Sequence, residues 1–445
     1  MDRSAIFHRS LEKSYPTAVR GEGVYLFTDT GHRILDGCCG AAVSSVGHGN
    51  EEVIEAVVTQ AKNLAFAHTS FFTSDPAEEL AKTIINKSDD AFFKVTFFCS
   101  GSEAVDSALK IARQYHVYNG EQERVNFIGR NDSYHGNTLG ALAAGNNTAR
   151  REPFAPILSP VFHHVSRCFY DADGAGATES EYEDRLIAEF EDKINRLGPK
   201  TVAAVIVEPV VGATLGTVPV TRTYLHRLKE LCSRHGILVI FDEVMCGMGR
   251  VGSYHAWQSL GRVAPDLQTI GKGLGAGYQP LSAVLIGKKV YSMFEEHSKQ
   301  SKKFVSGHTF QGHSMACAGA LAVQKIQERE GLVLNVMKRG LLLASLLGEG
   351  LSSHMKKHGV TLRGLGLFRA VDFGRLGIAV GDRPIAPEVS EECFKQGAAV
   401  YLCSGSVDAL LFAPPFIISE NEISTLAKIF LESLKSVLER RQADK

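Results

Sequence analysis

Pro265-Asp266-Leu267-Gln268-Thr269-Ile270-Gly271-Lys272-Gly273-Leu274-Gly275-Ala276-Gly277 is a short apolar run that breaks into glycines around a single lysine. Upstream, Gly236-Ile237-Leu238-Val239-Ile240-Phe241 runs into Asp242-Glu243. Both apolar runs have the length and composition of buried strands. From residue 94 onward such runs alternate with helical stretches. Strands are expected at 95–99, 125–128, 202–207, 238–241, 267–270 and 282–286, and helices at 103–116, 181–196 and 221–235. This alternation predicts a mostly parallel sheet with helices on both faces.

Outside this core the pattern changes. Residues 21–36 read as a hairpin turning at Thr28-Asp29-Thr30-Gly31, and Asn50 caps a helical pattern that runs to Leu64. A long helix is expected over 311–328, resuming after Gly331 to about 348. Strands near 360–373 and 408–413, with a closing helix over 420–440, make a separate α+β unit. The charged stretch 295–303 reads as solvated surface.

The chain has 445 residues, enough for a large core and at least two domains. Its 48 basic and 49 acidic residues give a net charge of −1, so nothing favours nucleic acid or an anionic membrane as partner. No apolar run reaches membrane-spanning length, and residues 1–8 lack the apolar core of a secretory signal. The nine cysteines are scattered, with no Cys-x-x-Cys, so no metal site is expected and a cytoplasmic setting is the simplest reading.

Four features carry chemistry. Lys272 offers an amine that can form a Schiff base, provided that burial depresses its pKa from about 10.4; an exposed turn lysine is the other reading. Asp242 ends a strand where parallel sheets form ligand crevices, and a protonated pyridine nitrogen would satisfy its buried carboxylate. A helix cap or an ion pair with Arg250 would satisfy it equally. Ser100-Gly101-Ser102-Glu103-Ala104 opens a helix whose amides attract phosphate, with Gly101 allowing close approach; a plain cap reads the same way. Tyr134-His135-Gly136 offers an aromatic face for a ring, or simply a packed loop tyrosine. Jointly they point to pyridoxal phosphate. No Gly-x-Gly-x-x-Gly fingerprint opens a βαβ unit and there is no P-loop, which disfavours a nucleotide enzyme.

Taken in order, Gly47-His48-Gly49, Phe98-Cys99-Ser100-Gly101-Ser102-Glu103-Ala104, Tyr134-His135-Gly136-Asn137-Thr138, Val207-Glu208-Pro209, Phe241-Asp242-Glu243-Val244, Gly271-Lys272-Gly273 and Gly307-His308-Thr309-Phe310 resemble the motifs of class III, or omega-type, pyridoxal phosphate aminotransferases. The resemblance covers nearly the whole chain. It implies an α/β protein of fold type I. Residues 56–325 would form the large domain with a mostly parallel seven-stranded sheet. Residues 1–55 and 326–445 would form a smaller α+β domain built from both termini. It also implies a homodimer with active sites at the interface.

The resemblance further implies roles. Lys272 forms the Schiff base and carries protons, and Asp242 binds the pyridine nitrogen. Gly101 and Ser102 hold phosphate, joined by Thr309 of the other subunit. Tyr134 and Val244 cover the two ring faces, His135 belongs to the cofactor site, and Glu208 supports it from near Asp242. The implied reaction is a ping-pong transfer from an amine or omega-amino donor to an oxo-acid, ketone or aldehyde acceptor. The same scaffold hosts aminomutases, epimerases and decarboxylases, and a non-catalytic binding protein is a further reading.

Departures from the family pattern bear on substrate. The glutamine that usually follows Asp-Glu-Val in members handling ornithine or 4-aminobutyrate is Met245 here, and the glutamate after Glu-Pro-x-x-Gly is Ala213. Arg363 matches the family's carboxylate-binding arginine. Many amine:pyruvate members carry an arginine before a Pro-Pro pair; Val400-Tyr401-Leu402-Cys403-Ser404-Gly405, before Pro414-Pro415, has none. Tyr15, Phe71, Phe72 and Phe416 are the expected pocket residues beside Arg363. Their aromatic character predicts a donor with an apolar body.

Overall fold

The computed structural model describes residues 4–404 and 406–443; Gly405 and the last two residues of the chain lie outside them. A seven-stranded sheet dominates. Its strands in chain order are β1 (Phe92–Phe98), β2 (Asn126–Arg130), β3 (Phe162–Val165), β4 (Val202–Val207), β5 (Leu238–Asp242), β6 (Leu267–Ile270) and β7 (Ser282–Gly287). Every residue of β4, β5 and β6 is buried, as continuous apolar runs covered on both faces require. Across the sheet the order is β1-β7-β6-β5-β4-β2-β3. Only β7 runs against its neighbours, pairing antiparallel with β6 and β1; the other pairings are parallel.

The helix α1 (Gly101–Tyr118) follows β1 directly. Ser100 caps it: the Glu103 amide donates to Ser100 Oγ at 3.3 Å, and Glu103 Oε2 accepts from the Ser100 amide at 3.2 Å. This reciprocal box fixes where the strand ends and the helix starts. Separate apolar clusters line the sheet. One holds Leu109 and Ile111 of α1 with Ile240; the other holds Phe190 and Leu228 of the crossover helices with Phe241. β5 therefore sends alternate residues into different cores. The charged stretch 295–303 starts inside a helix, Lys288–Ser298, rather than in open coil.

A second core joins the two ends of the chain. Val24, Leu35 and Val46 pack with Val336, Leu343, Phe373, Phe412 and Phe430. The hairpin Thr361–Leu365 and Phe368–Asp372 pairs with Ala409–Phe412 and, through it, with Tyr401–Leu402. Ala398–Ala399 runs parallel to Leu35–Asp36 and ties the late chain to the N-terminal hairpin. Gly340 makes a close contact with the hairpin turn: a Cβ there would meet Gly366 O at 2.1 Å. No single helix among the described residues is long and apolar enough to cross a membrane.

Candidate active site

The C-terminal ends of the parallel strands converge on one cavity of about 460 Å³. Gly101 and Ser102 line it after β1, Tyr134 and His135 after β2, Glu208 after β4, Asp242 and Val244 at β5, and Lys272 after β6. Each sits at a strand end because the chain must leave the sheet there, exposing polar groups on the same edge.

Asp242 forms the floor. Its Oδ2 accepts from His135 Nδ1 at 2.7 Å, while Oδ1 accepts from Thr269 Oγ1 at 2.9 Å and from the Val244 amide at 3.1 Å. The expected alternative, an ion pair with Arg250, does not form: Arg250 Nη1 donates to the carbonyls of Leu367 and Pro414. Three donors fix the direction of this carboxylate, which is only 5% exposed. Glu208 lies beside it, its oxygens accepting from the amides of Tyr134 at 3.0 Å and Gly212 at 3.2 Å. Burial lifts the Glu208 carboxyl above the ordinary carboxylate range.

Lys272 opens a single 3-10 turn with a left-handed φ of 44°. Its amine has no hydrogen-bond or ion-pair partner among the described residues. Burial pushes that amine below the usual lysine pKa, against the raising pull of Asp242 and Glu208. Val244 sits between the flanking turns: a Cβ on Gly101 would meet Val244 Cγ1 at 2.7 Å, and one on Gly271 would meet it at 3.4 Å. Gly101 and Ser102 are the first residues of α1, so their amides have no partner within the helix. The Asn137 amide donates to Ser102 Oγ at 3.0 Å and ties the Tyr134 loop to this cradle.

These residues fit pyridoxal phosphate. The open helix start suits a phosphate, the fixed carboxylate suits a pyridine nitrogen, and an unpartnered amine with lowered basicity suits an aldehyde.

The expected substrate contacts lie away from the cavity on the protomer. Phe416 is fully buried in the second core, beneath the Arg250 guanidinium at 4.5 Å. Arg363 does not line the cavity and makes four hydrogen bonds. It donates to the carbonyls of Leu215 and Gly216, to Thr361 Oγ1 and to Asp372 Oδ2 at 2.9 Å. Tyr15, Phe71 and Phe72 lie exposed on the protomer and do not line the cavity. Thr309 is likewise exposed and outside it.

In their place stand Arg9, Arg150, Tyr401 and Ser404, which the sequence reading missed. Met245 and Ala213, the two departures from the family pattern, do line the cavity. The stretch before Pro414-Pro415, singled out in the sequence for lacking an arginine, reaches the cavity through Tyr401 and Ser404.

The doubly wound sheet and its lysine–aspartate pair at the strand ends define a pyridoxal phosphate enzyme of fold type I. Residues 7–434 match the family model for aminotransferase class III. An uncharacterised aminotransferase of Schizosaccharomyces pombe is 36% identical over 98% of this chain and 96% of its own length. A putrescine–pyruvate aminotransferase of Pseudomonas aeruginosa is 30% identical over 93% of this chain and 89% of its own. A crystal structure of an amine transaminase from an uncultivated Pseudomonas species, in its pyridoxal-phosphate-bound form, superposes with a TM-score of 0.87. It is 30% identical and covers 98% of each chain. The chain belongs to the class III aminotransferases, enzymes that transfer amino groups with pyridoxal phosphate.

Proposed function

We propose that this chain transfers the amino group of an amine or omega-amino donor to an oxo acid, with Lys272 and Asp242 as its catalytic residues. The observation that carries this reading is the unpartnered Lys272 amine in one cavity with the Asp242 carboxylate and the open start of α1. The putrescine–pyruvate relative supports an amine donor.

Bound in the cavity, pyridoxal phosphate supplies an aldehyde and an electron-accepting ring. The amides of Gly101 and Ser102 would hold the phosphate. Asp242, kept in place by His135 and Thr269, would keep a proton on the ring nitrogen. Tyr134 and Val244 would cover the two ring faces, and Glu208 supports the Tyr134 loop by accepting from its amide. Lys272 Nζ would hold the aldehyde in the resting enzyme and, once freed by a donor amine, would carry a proton from the substrate carbon to the cofactor carbon. A lowered pKa leaves more of this amine neutral at pH 7, as a base requires.

The working form is a homodimer, with Thr309 of each protomer contributing to the other's phosphate site. The nine cysteines are all free thiols, which suits a cytosolic setting.

Product analysis with a panel of amines, with and without pyruvate, tests the reading. The expected result is a carbonyl product and alanine in equal amounts, only when both substrates are present. Carbon dioxide release or racemised donor without acceptor would overturn it.

A further inference from the structure

Arg150 lines the same cavity from the short helix Thr148–Arg151. Its guanidinium lies 5.1 Å from the centre of the Tyr134 ring. Among the described residues it has no ion-pair partner and no side-chain hydrogen bond. Arg9 reaches the cavity from the N-terminal segment and has none either. The acids of the cavity are committed elsewhere: Asp242 to His135, Thr269 and Val244, and Glu208 to Tyr134 and Gly212.

The segment carrying Arg150 is held in place. Asn147 caps its helix, accepting from the Arg150 amide at 3.4 Å, and Asn147 Nδ2 donates to Ser404 Oγ at 2.9 Å. Ser404 is itself a cavity residue, so the bond ties the Arg150 helix to the stretch that carries Tyr401 and Ser404. A half-buried guanidinium without a counter-ion is a standing demand for an anion, and its planar fork matches a carboxylate. An oxo-acid acceptor brings one. Arg363 cannot answer it, being spent on Asp372 and three other acceptors.

We propose that Arg150, assisted by Arg9, binds the carboxylate of the acceptor oxo acid and so sets acceptor specificity. This rests on the transamination reading above. With an amine donor that lacks a carboxylate, the guanidinium stays over the Tyr134 ring and the cavity accepts the apolar body.

The test uses cofactor-loaded wild type, R150Q, R150K and R9Q, with 1,4-diaminobutane as donor and pyruvate, 2-oxoglutarate or butanal as acceptor. R150Q is expected to raise KM for both oxo acids about 10- to 100-fold, the range for a lost charge-assisted bond. Its KM for butanal, which has no carboxylate, moves less than about twofold. R150K and R9Q fall between. Equal losses with butanal and the oxo acids, or unchanged oxo-acid KM, overturn the proposal. Calorimetric binding of propionate, which cannot react, separates the subsite from turnover. Binding lost in R150Q supports the proposal even where no acceptor turns over, an outcome that would instead sink the transamination reading. Propionate binding retained in R150Q overturns the proposal.

Discussion

Lys272 shows how backbone and chemistry meet in one residue. A left-handed φ costs a non-glycine residue about 1–3 kcal/mol, and Gly271 and Gly273 on either side absorb the turn. Asp242 shows the complementary case, a carboxylate held by three donors. On the proposed role, Asp242→Asn would replace the carboxylate set against the ring nitrogen and leave His135 Nδ1 facing a neutral amide. Turnover is expected to fall by about 10²-fold or more, the scale for one lost preorganised electrostatic partner. Circular dichroism should report an intact fold. A kcat within threefold of wild type would contradict the role given to this carboxylate. That Lys272 and Asp242 lie at strand ends on one cavity was legible in the sequence, because an Asp at the end of an apolar run and a Lys among glycines carry position as well as type. Arg363 shows the opposite case. The motif gave its identity but not its direction, and in a strand direction alternates with every residue. Arg150 lies in a short helix with no periodicity to place it, so only the folded chain brings it to Tyr134.

At the scale of elements, the join between β1 and α1 is the part most exposed to small changes. Ser100 and Glu103 cap the helix, Gly101 leaves room for Val244, and the two free amides face the cavity. Gly101→Ala would put a methyl 2.7 Å from Val244 Cγ1, so one of the two must move. The expected result is weaker cofactor retention on dialysis, with thermal stability lowered by about 1–3 kcal/mol from overpacking. Retention equal to wild type would show that the cradle tolerates a side chain there. The central strands were readable as continuous apolar runs. β3 was not, because it is an edge strand whose two histidines, His163 and His164, break the run and remain partly accessible. The helix Asp75–Asn86 also escaped notice although its apolar face buries Leu80 and Ile84.

For the whole molecule, the exposed rings are the unfinished part. Phe66, Phe71, Phe72 and Phe310 are 37%, 81%, 65% and 53% exposed and sit in a chain of ring contacts with His68 and His313. An apolar patch of this kind marks an association surface. Thr309 adjoins Phe310, so burying the patch against a second copy would also position the threonine. Light scattering should give twice the 48.3 kDa of one chain. Phe71→Asp with Phe72→Asp should shift the mass toward the monomer and weaken cofactor retention together. A wild-type monomer with full activity would contradict the dimeric account. Of these rings only Phe71 and Phe72 were assigned to the pocket from the sequence, because composition marks an apolar surface without saying what covers it.

The most direct measurement is an absorbance spectrum of wild type and Lys272→Ala after loading with pyridoxal phosphate, before and after an amine and then pyruvate. Wild type should show a visible band that bleaches with the amine and returns with pyruvate. Lys272→Ala should show neither the wild-type band nor its cycling. A wild type that forms no band with added cofactor, or a Lys272→Ala variant that cycles normally, would contradict the assignment of Lys272.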